Sequence, residues 1–167
     1  MPDRDTIESA QRDEAEGKAP TTQAGEFVRE EIEHVREGKH GARSAKQVIA
    51  IGLSKARRAG VKLPPPRKGR TSAKARAQAA RDYRKGQASS RRRPSPTRSR
   101  GVLRALKREG EEAASHTALS RQAYASARRR GSGSRHQAAK NAVRTKGSVG
   151  LSRAARKAGR TRRAHGQ

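Results

Sequence analysis

Five histidines, fifteen carboxylates and forty-two Lys or Arg side chains are the acid, base and metal-ligand inventory of this chain, which has no cysteine. Without cysteine a disulfide frame and a Cys-ligated zinc site are both excluded. His34 and His40 are the closest pair of histidines. Their spacing of six misses the i, i+4 register of a helical metal site, so solvated histidines are expected. No G-x-x-x-x-G-K-[ST], G-x-S-x-G or H-E-x-x-H run occurs. The acids are expected on an exposed helical face and a tail, in solvent rather than in general acid–base work. The expectation is a protein that is not an enzyme and uses neither cofactor nor metal.

The bases carry the stronger signal. The formal net charge is +27. Residues 1–37 hold eleven acids against five bases, a net of −6, so the remaining 130 residues carry +33, opposed only by Asp82, Glu109, Glu111 and Glu112. Such asymmetry marks a segment that seeks a polyanion. Each phosphate neutralised by Lys or Arg releases condensed counterions, with a salt slope of about −0.9 per contact on B-DNA. Single-strand binders of the RRM and OB type stack bases on aromatic platforms, and here Phe27, Tyr83 and Tyr124 are the only aromatics. The expected function is therefore non-sequence-specific, histone-like binding to duplex DNA through the phosphate backbone. An RNA- or ribosome-associated basic protein is the alternative.

Composition limits the elements that could position these cations. Only 30% of residues are hydrophobic. That apolar surface cannot offset the roughly 1–2 kcal/mol of backbone entropy that each ordered residue costs along the whole chain. The fold expected is mostly α, with short helical hairpins, a long disordered basic linker and a disordered C-terminal tail. Residues 1–20 read as an acidic disordered tail. Residues 21–61 read as a helical hairpin module. Thr21 or Thr22 caps its first helix and Glu26 suits the positive end of the dipole. Phe27, Val28, Ile32 and Val35 share a side, and Gly38 stops the helix. The second helix starts at Ser44 and presents Ala45, Val48, Ile49, Gly52, Leu53 and Ala56 on one face. It ends at Gly60, before Pro64-Pro65-Pro66. Either helix alone would be marginal in water. Phe27, Ile32 and Val35 are expected to pack on Val48, Ile49 and Leu53, leaving Lys55, Arg57 and Arg58 to face a nucleic acid. The hairpin is also a candidate surface for a protein partner or self-association.

Residues 62–98 read as a basic Pro/Arg/Ala linker. Within it SAKARAQAARDYRKG is expected to become helical only when its charge is neutralised. Pro66–Arg70 (PRKGR) resembles a minor-groove AT-hook that lacks its closing Pro, and Ser95–Arg98 (SPTR) resembles the S-P-x-[KR] units of linker-histone tails. These nominate Arg67, Lys68, Arg70 and Arg98, with Arg91, Arg92 and Arg93 between them, as groove contacts. Residues 99–131 read as a second helical pair. There Ser115–Gly131 echoes Ser44–Gly60: both have a capping Ser, the same length and an A-R-R-x-G end. Its cations are Arg128, Arg129 and Arg130. Residues 132–167 read as a basic repeat tail, in which QAAKNAVRTKG and RAARKAGRTRR share A-A-[KR]-x-A-x-R-T at a shift of sixteen. Its candidate contacts are Arg144, Lys146, Arg153, Arg156, Arg160, Arg162 and Arg163.

No apolar run approaches the ~20 residues of a membrane span, and MPDRDTIESA lacks a signal peptide's apolar core. No membrane partner is expected.

The stretch Lys46-Gln47-Val48-Ile49-Ala50-Ile51-Gly52-Leu53-Ser54-Lys55-Ala56 resembles the K-Q-A-I-A-I-[GA]-L-S-x-A motif of a family of small, basic, uncharacterised bacterial proteins built on a domain of unknown function. Val48 stands where Ala is usual. LKREG, TALSRQA and AVRTKG look similar to its longer members. The resemblance covers residues 20–65 well and the rest loosely. It brings no established activity. It implies a bacterial source, and with it a cytoplasmic, nucleoid location.

Overall fold

The computed structural model describes residues 2–88 and 95–164, except for the side chains of residues 145 and 146. Among them the chain is mostly helical and has no strand. The helices are α1 (Arg4–Ala15), α2 (Pro20–Arg36), α3 (Ala45–Ala59), α4 (Ala73–Gln87), α5 (Pro96–Leu106) and α6 (His116–Ala164), with a 3-10 turn at Glu112–Ala114. The chain divides into two compact units, 1–122 and 123–167.

The hairpin forms from α2 and α3. In α3, Ser44 Oγ accepts from the Gln47 amide at 3.3 Å, and Gly60 closes the helix at φ 108°. The start of α2 differs from expectation. Pro20 is the first helical residue, after Ala19, and no threonine caps the helix. Proline suits that position because its missing N–H would be unpaired there anyway. Gly52 lets the two helices touch, since a Cβ there would lie 2.7 Å from Val28 Cα.

The apolar contacts fall into two clusters. Phe27 packs with Ala10, Ala24, Ala56, Val61 and Leu63, flanked by Ile7 and Leu53. Val35 packs with Val48, Ala42, Ala113 and Ala114, flanked by Ile32. The hairpin alone therefore does not cover its own apolar face; two flanking segments complete it, and a third docks through polar contacts.

The first is α1, where an acidic disordered tail was expected. It docks through Ile7 and Ala10, one helical turn apart, and Lys62 reaches Glu14 at 3.1 Å. The second is the loop after α5, which brings Ala113 and Ala114 into the Val35 cluster. Arg36 Nε donates to the Ala114 carbonyl at 3.0 Å. Val102 and Leu103 of α5 stay exposed, while Leu106 is half-buried. The third is α4, the segment expected to stay unfolded without an anion. Asp82 docks it on α3 and is fully buried there. Ser54 Oγ donates to Asp82 at 2.8 Å, Arg58 Nε at 2.8 Å and Gln78 Nε2 at 2.9 Å. A side chain at Gly86 would overlap the carbonyl oxygen of Arg57. The anion that α4 needed is thus its own aspartate, directed inward.

Candidate nucleic-acid interface

The nominated cations divide into two groups with different surroundings. Lys55, Arg57 and Arg58 are engaged inside the first unit. Lys55 sits on the inner stripe of α3, three residues after Gly52. Its Nζ lies 2.9 Å from Glu30 Oε1 and 2.7 Å from Glu31 Oε2. Burial alone would lower its pKa, but the two carboxylates outweigh that and raise it above the ordinary lysine value. Arg57 is buried and donates to the carbonyls of Leu63 at 3.2 Å and Leu53 at 3.3 Å, so it anchors the turn after α3. Arg58 keeps an exposed edge but spends Nε on Asp82. Burial would push the Asp82 carboxyl up; hydrogen bonds from Ser54, Arg58 and Gln78 overcome it and hold the group below its usual range. None of the three is a free backbone-binding cation as expected from sequence, because each neutralises or caps a group buried beside it.

The expected solvation of the acids fails at the same place. Glu30 and Glu31 are buried. Glu31 lies four residues after Phe27 and four before Val35, on the stripe that faces α3. A carboxylate at that register was a legible signal of a buried pair, and Lys55 occupies the matching stripe of α3.

The remaining nominated cations that are described lie in solvent. Arg67, Lys68 and Arg70 are exposed in the connection between α3 and α4. Arg98 is exposed, but SPTR is not a free turn: Pro96 opens α5, and Arg98 belongs to its first turn. Arg91, Arg92 and Arg93 lie outside the described residues. Sequence reasoning missed a cationic face on α4. Because Asp82 points into the module, the exposed side of that helix carries Lys74, Arg76, Arg81, Arg84 and Lys85.

The second unit carries thirteen Lys or Arg residues. No acid follows Glu112 in the sequence. Arg128, Arg129, Arg130, Arg144, Arg153, Arg156, Arg160, Arg162 and Arg163 are all exposed; the side chain of Lys146 is not described. Arg153, Arg156, Lys157, Arg160 and Arg163 recur at i, i+3, i+4, i+7 and i+10, which places them on one face. The helix is interrupted at Gly131 (φ 75°, ψ 169°) and Gly147 (φ 62°, ψ 178°). That backbone region is essentially reserved for glycine. The two breaks stand sixteen residues apart, the same shift that relates QAAKNAVRTKG to RAARKAGRTRR. The tail expected to be disordered is thus a series of basic helical rods, about 22 to 25 Å long at 1.5 Å per residue. Alanine supplies the helix propensity, since no apolar face packs these rods. Tyr124 is exposed, with the Arg128 guanidinium 5.9 Å from its ring centre.

Among the described residues, no helix is long and apolar enough to cross a membrane. No curated protein and no solved structure matches the chain. One family does, and its match begins at the first residue of α1, so that helix belongs with the hairpin rather than to a tail. Residues 4–68, the module of α1, α2, α3 and the turn that follows them, match the model of a family of unknown function, DUF6496.

Proposed function

We propose that this protein binds duplex DNA without base specificity, as a histone-like, nucleoid-associated protein of a bacterial cell. In this reading the second unit and the outer face of α4 lie along the phosphate backbone. The observation that supports it most is the run of exposed arginines on helical rods broken at Gly131 and Gly147, in a stretch without one carboxylate. Exposed cations without a paired carboxylate among the described residues keep their capacity to displace counterions. Short rods joined at glycines can follow a curved duplex, while a continuous helix of that length would leave it. The 4–68 module takes little part in contact, since its interior cations are already paired. It holds α4 in place, and its helices α1 and α2 carry more acids than bases.

The test compares the full chain with a chain ending at Gln122, on a 30-base-pair duplex, over a series of potassium chloride concentrations. The full chain is expected to bind at least tenfold more tightly at low salt and to show the steeper salt dependence. Equal affinity for the two chains would refute the assignment to the second unit. Competition by structured RNA at fixed salt separates the DNA reading from an RNA- or ribosome-associated one, since exposed arginines without base-reading geometry suit either backbone.

A further inference from the structure

A second cluster, Glu31, His34 and His40, has no part in that reading. Sequence spacing sets the two histidines apart, but the end of α2 brings them together. Gly38, at φ 70°, closes the helix with the Gly38 amide on the Val35 carbonyl at 3.2 Å and the Lys39 amide on the His34 carbonyl at 2.9 Å. This Schellman turn reverses the chain onto the last turns of the helix. His40 then lies against Glu31, and the His34 and His40 rings meet edge to face with centres 6.2 Å apart. Glu31 is 1% exposed and His40 9%. The His34 side chain is 13% exposed. One ligating atom from each of the three lies within 4.8 Å of the other two.

Hydrogen-bond direction at His40 makes this more than a polar cluster. Its Nδ1 lies 3.1 Å from the Gly41 carbonyl oxygen. A carbonyl can only accept, so Nδ1 carries the proton. Its Nε2 lies 2.9 Å from Glu31 Oε1. Two lone pairs at that distance repel unless a proton or a metal cation lies between them. Lys55 does not answer for this contact, because it stands at the other carboxylate oxygen. Although that ammonium is within ion-pair distance, neither Glu31 oxygen has a well-directed hydrogen bond. An imidazole that gives one N–H to a backbone carbonyl and offers its other nitrogen inward is also how metal-binding histidines are held. Charge agrees. Asp3 Oδ2 is 3.3 Å from His34 Nε2, and Glu30 Oε1 is 3.9 Å from His34 Nδ1. Asp3, Glu30 and Glu31 set three negative charges against Lys55 and, at longer range, Lys39.

We propose that Glu31, His34 and His40 bind a divalent transition-metal ion of the zinc class. Mixed imidazole and carboxylate donors select such an ion over magnesium or calcium, which take oxygen ligands. Bonds of about 2.0–2.1 Å need ligand atoms about 3.4 Å apart. The cluster, at up to 4.8 Å between ligand atoms, would have to contract on binding. The ion would tie the turn after α2 to the helix itself and so stabilise the 4–68 module by mass action.

The test uses the full chain, freed of nucleic acid and stripped with a chelator, then titrated with Zn²⁺ alone. One ion per chain is expected, with a rise in melting temperature that chelator reverses. The imidazole resonances of His34 and His40 should shift on addition of metal, while those of His116 and His136 stay. His34→Gln removes the least buried ligand and should weaken binding about tenfold or more, by analogy with losses at metal sites; His116→Gln should not. If Zn²⁺ binds without moving the His34 and His40 resonances, or does not bind, the proposal is wrong and a proton on His40 Nε2 accounts for the contact. The wild-type resonances decide this even where a variant fails to fold, and they do so whether or not the chain binds DNA.

Discussion

Ala56-Arg57-Arg58-Ala59-Gly60 and Ala127-Arg128-Arg129-Arg130-Gly131 end two helical stretches of the same length and the same design. Their arginines have opposite fates. Arg57 is buried and Arg58 holds Asp82, whereas Arg128, Arg129 and Arg130 are exposed. The difference lies in the apolar residues upstream. Val48 and Leu53 dock α3 against α2, and docking brings carbonyls and carboxylates up to the arginines. In the later stretch Tyr124 stays exposed, and among the described residues no carboxylate pairs with Arg128, Arg129 or Arg130. An arginine beside a packed face becomes a structural strut, while the same arginine on an unpacked helix remains a free cation.

Removing the packing should break this contrast most severely. Phe27→Ala empties the centre of one apolar cluster and should cost about 3–5 kcal/mol, enough to unfold the module at moderate urea. Circular dichroism should then report loss of α1 to α3, while affinity of the full chain for duplex DNA changes little. A comparable loss of DNA affinity would mean that the module itself makes the contact.

Asp82→Ala is the next largest. Breaking a buried pair costs about 3–5 kcal/mol in general, and the exposed edge of Arg58 brings this case to about 3 kcal/mol or less. Amide exchange should accelerate over residues 73–87 before it does over α3. Asp82 also predicts an acid limit. Its native pKa lies below the unfolded value of about 3.9. The stabilisation is therefore complete above that value and is lost as pH falls through the native one. Urea midpoints of the wild type should drop more steeply below about pH 4 than those of Asp82→Asn.

On the other side of the comparison, replacing Arg128, Arg129 and Arg130 together with Gln should leave the urea midpoint alone. It should flatten the slope of log affinity against log salt by up to about 2.7, at about 0.9 per phosphate contact. Lys55→Gln should do the reverse, lowering stability and sparing the slope. The smallest effect is expected from Gly131→Ala. Alanine avoids that φ, and the two rods should merge into one helix with a modest rise in ellipticity at 222 nm.

The helical hairpin was legible because apolar residues at helical spacing, a capping Ser44 and Gly60 all point to one local structure. The docking of α1 and α4 was not. Ile7 and Ala10 are two small patches in a polar run, and Asp82 is one acid among many bases. Each gains meaning only from a partner far along the chain. Glu31 and Lys55 were legible in principle, since both break an apolar stripe. The clustering of His34 and His40 was hidden because linear spacing says nothing across a reversed chain.

By itself the sequence determined the mostly helical class, the register of α3 and the excess of cations after residue 37. These follow from local propensity, periodicity and charge, which need no distant partner. Tertiary structure alone decided which cations are spent inside and which remain outside. Burial removes water from a charge, and the counter-charge that must replace it comes from whichever residue the fold brings alongside.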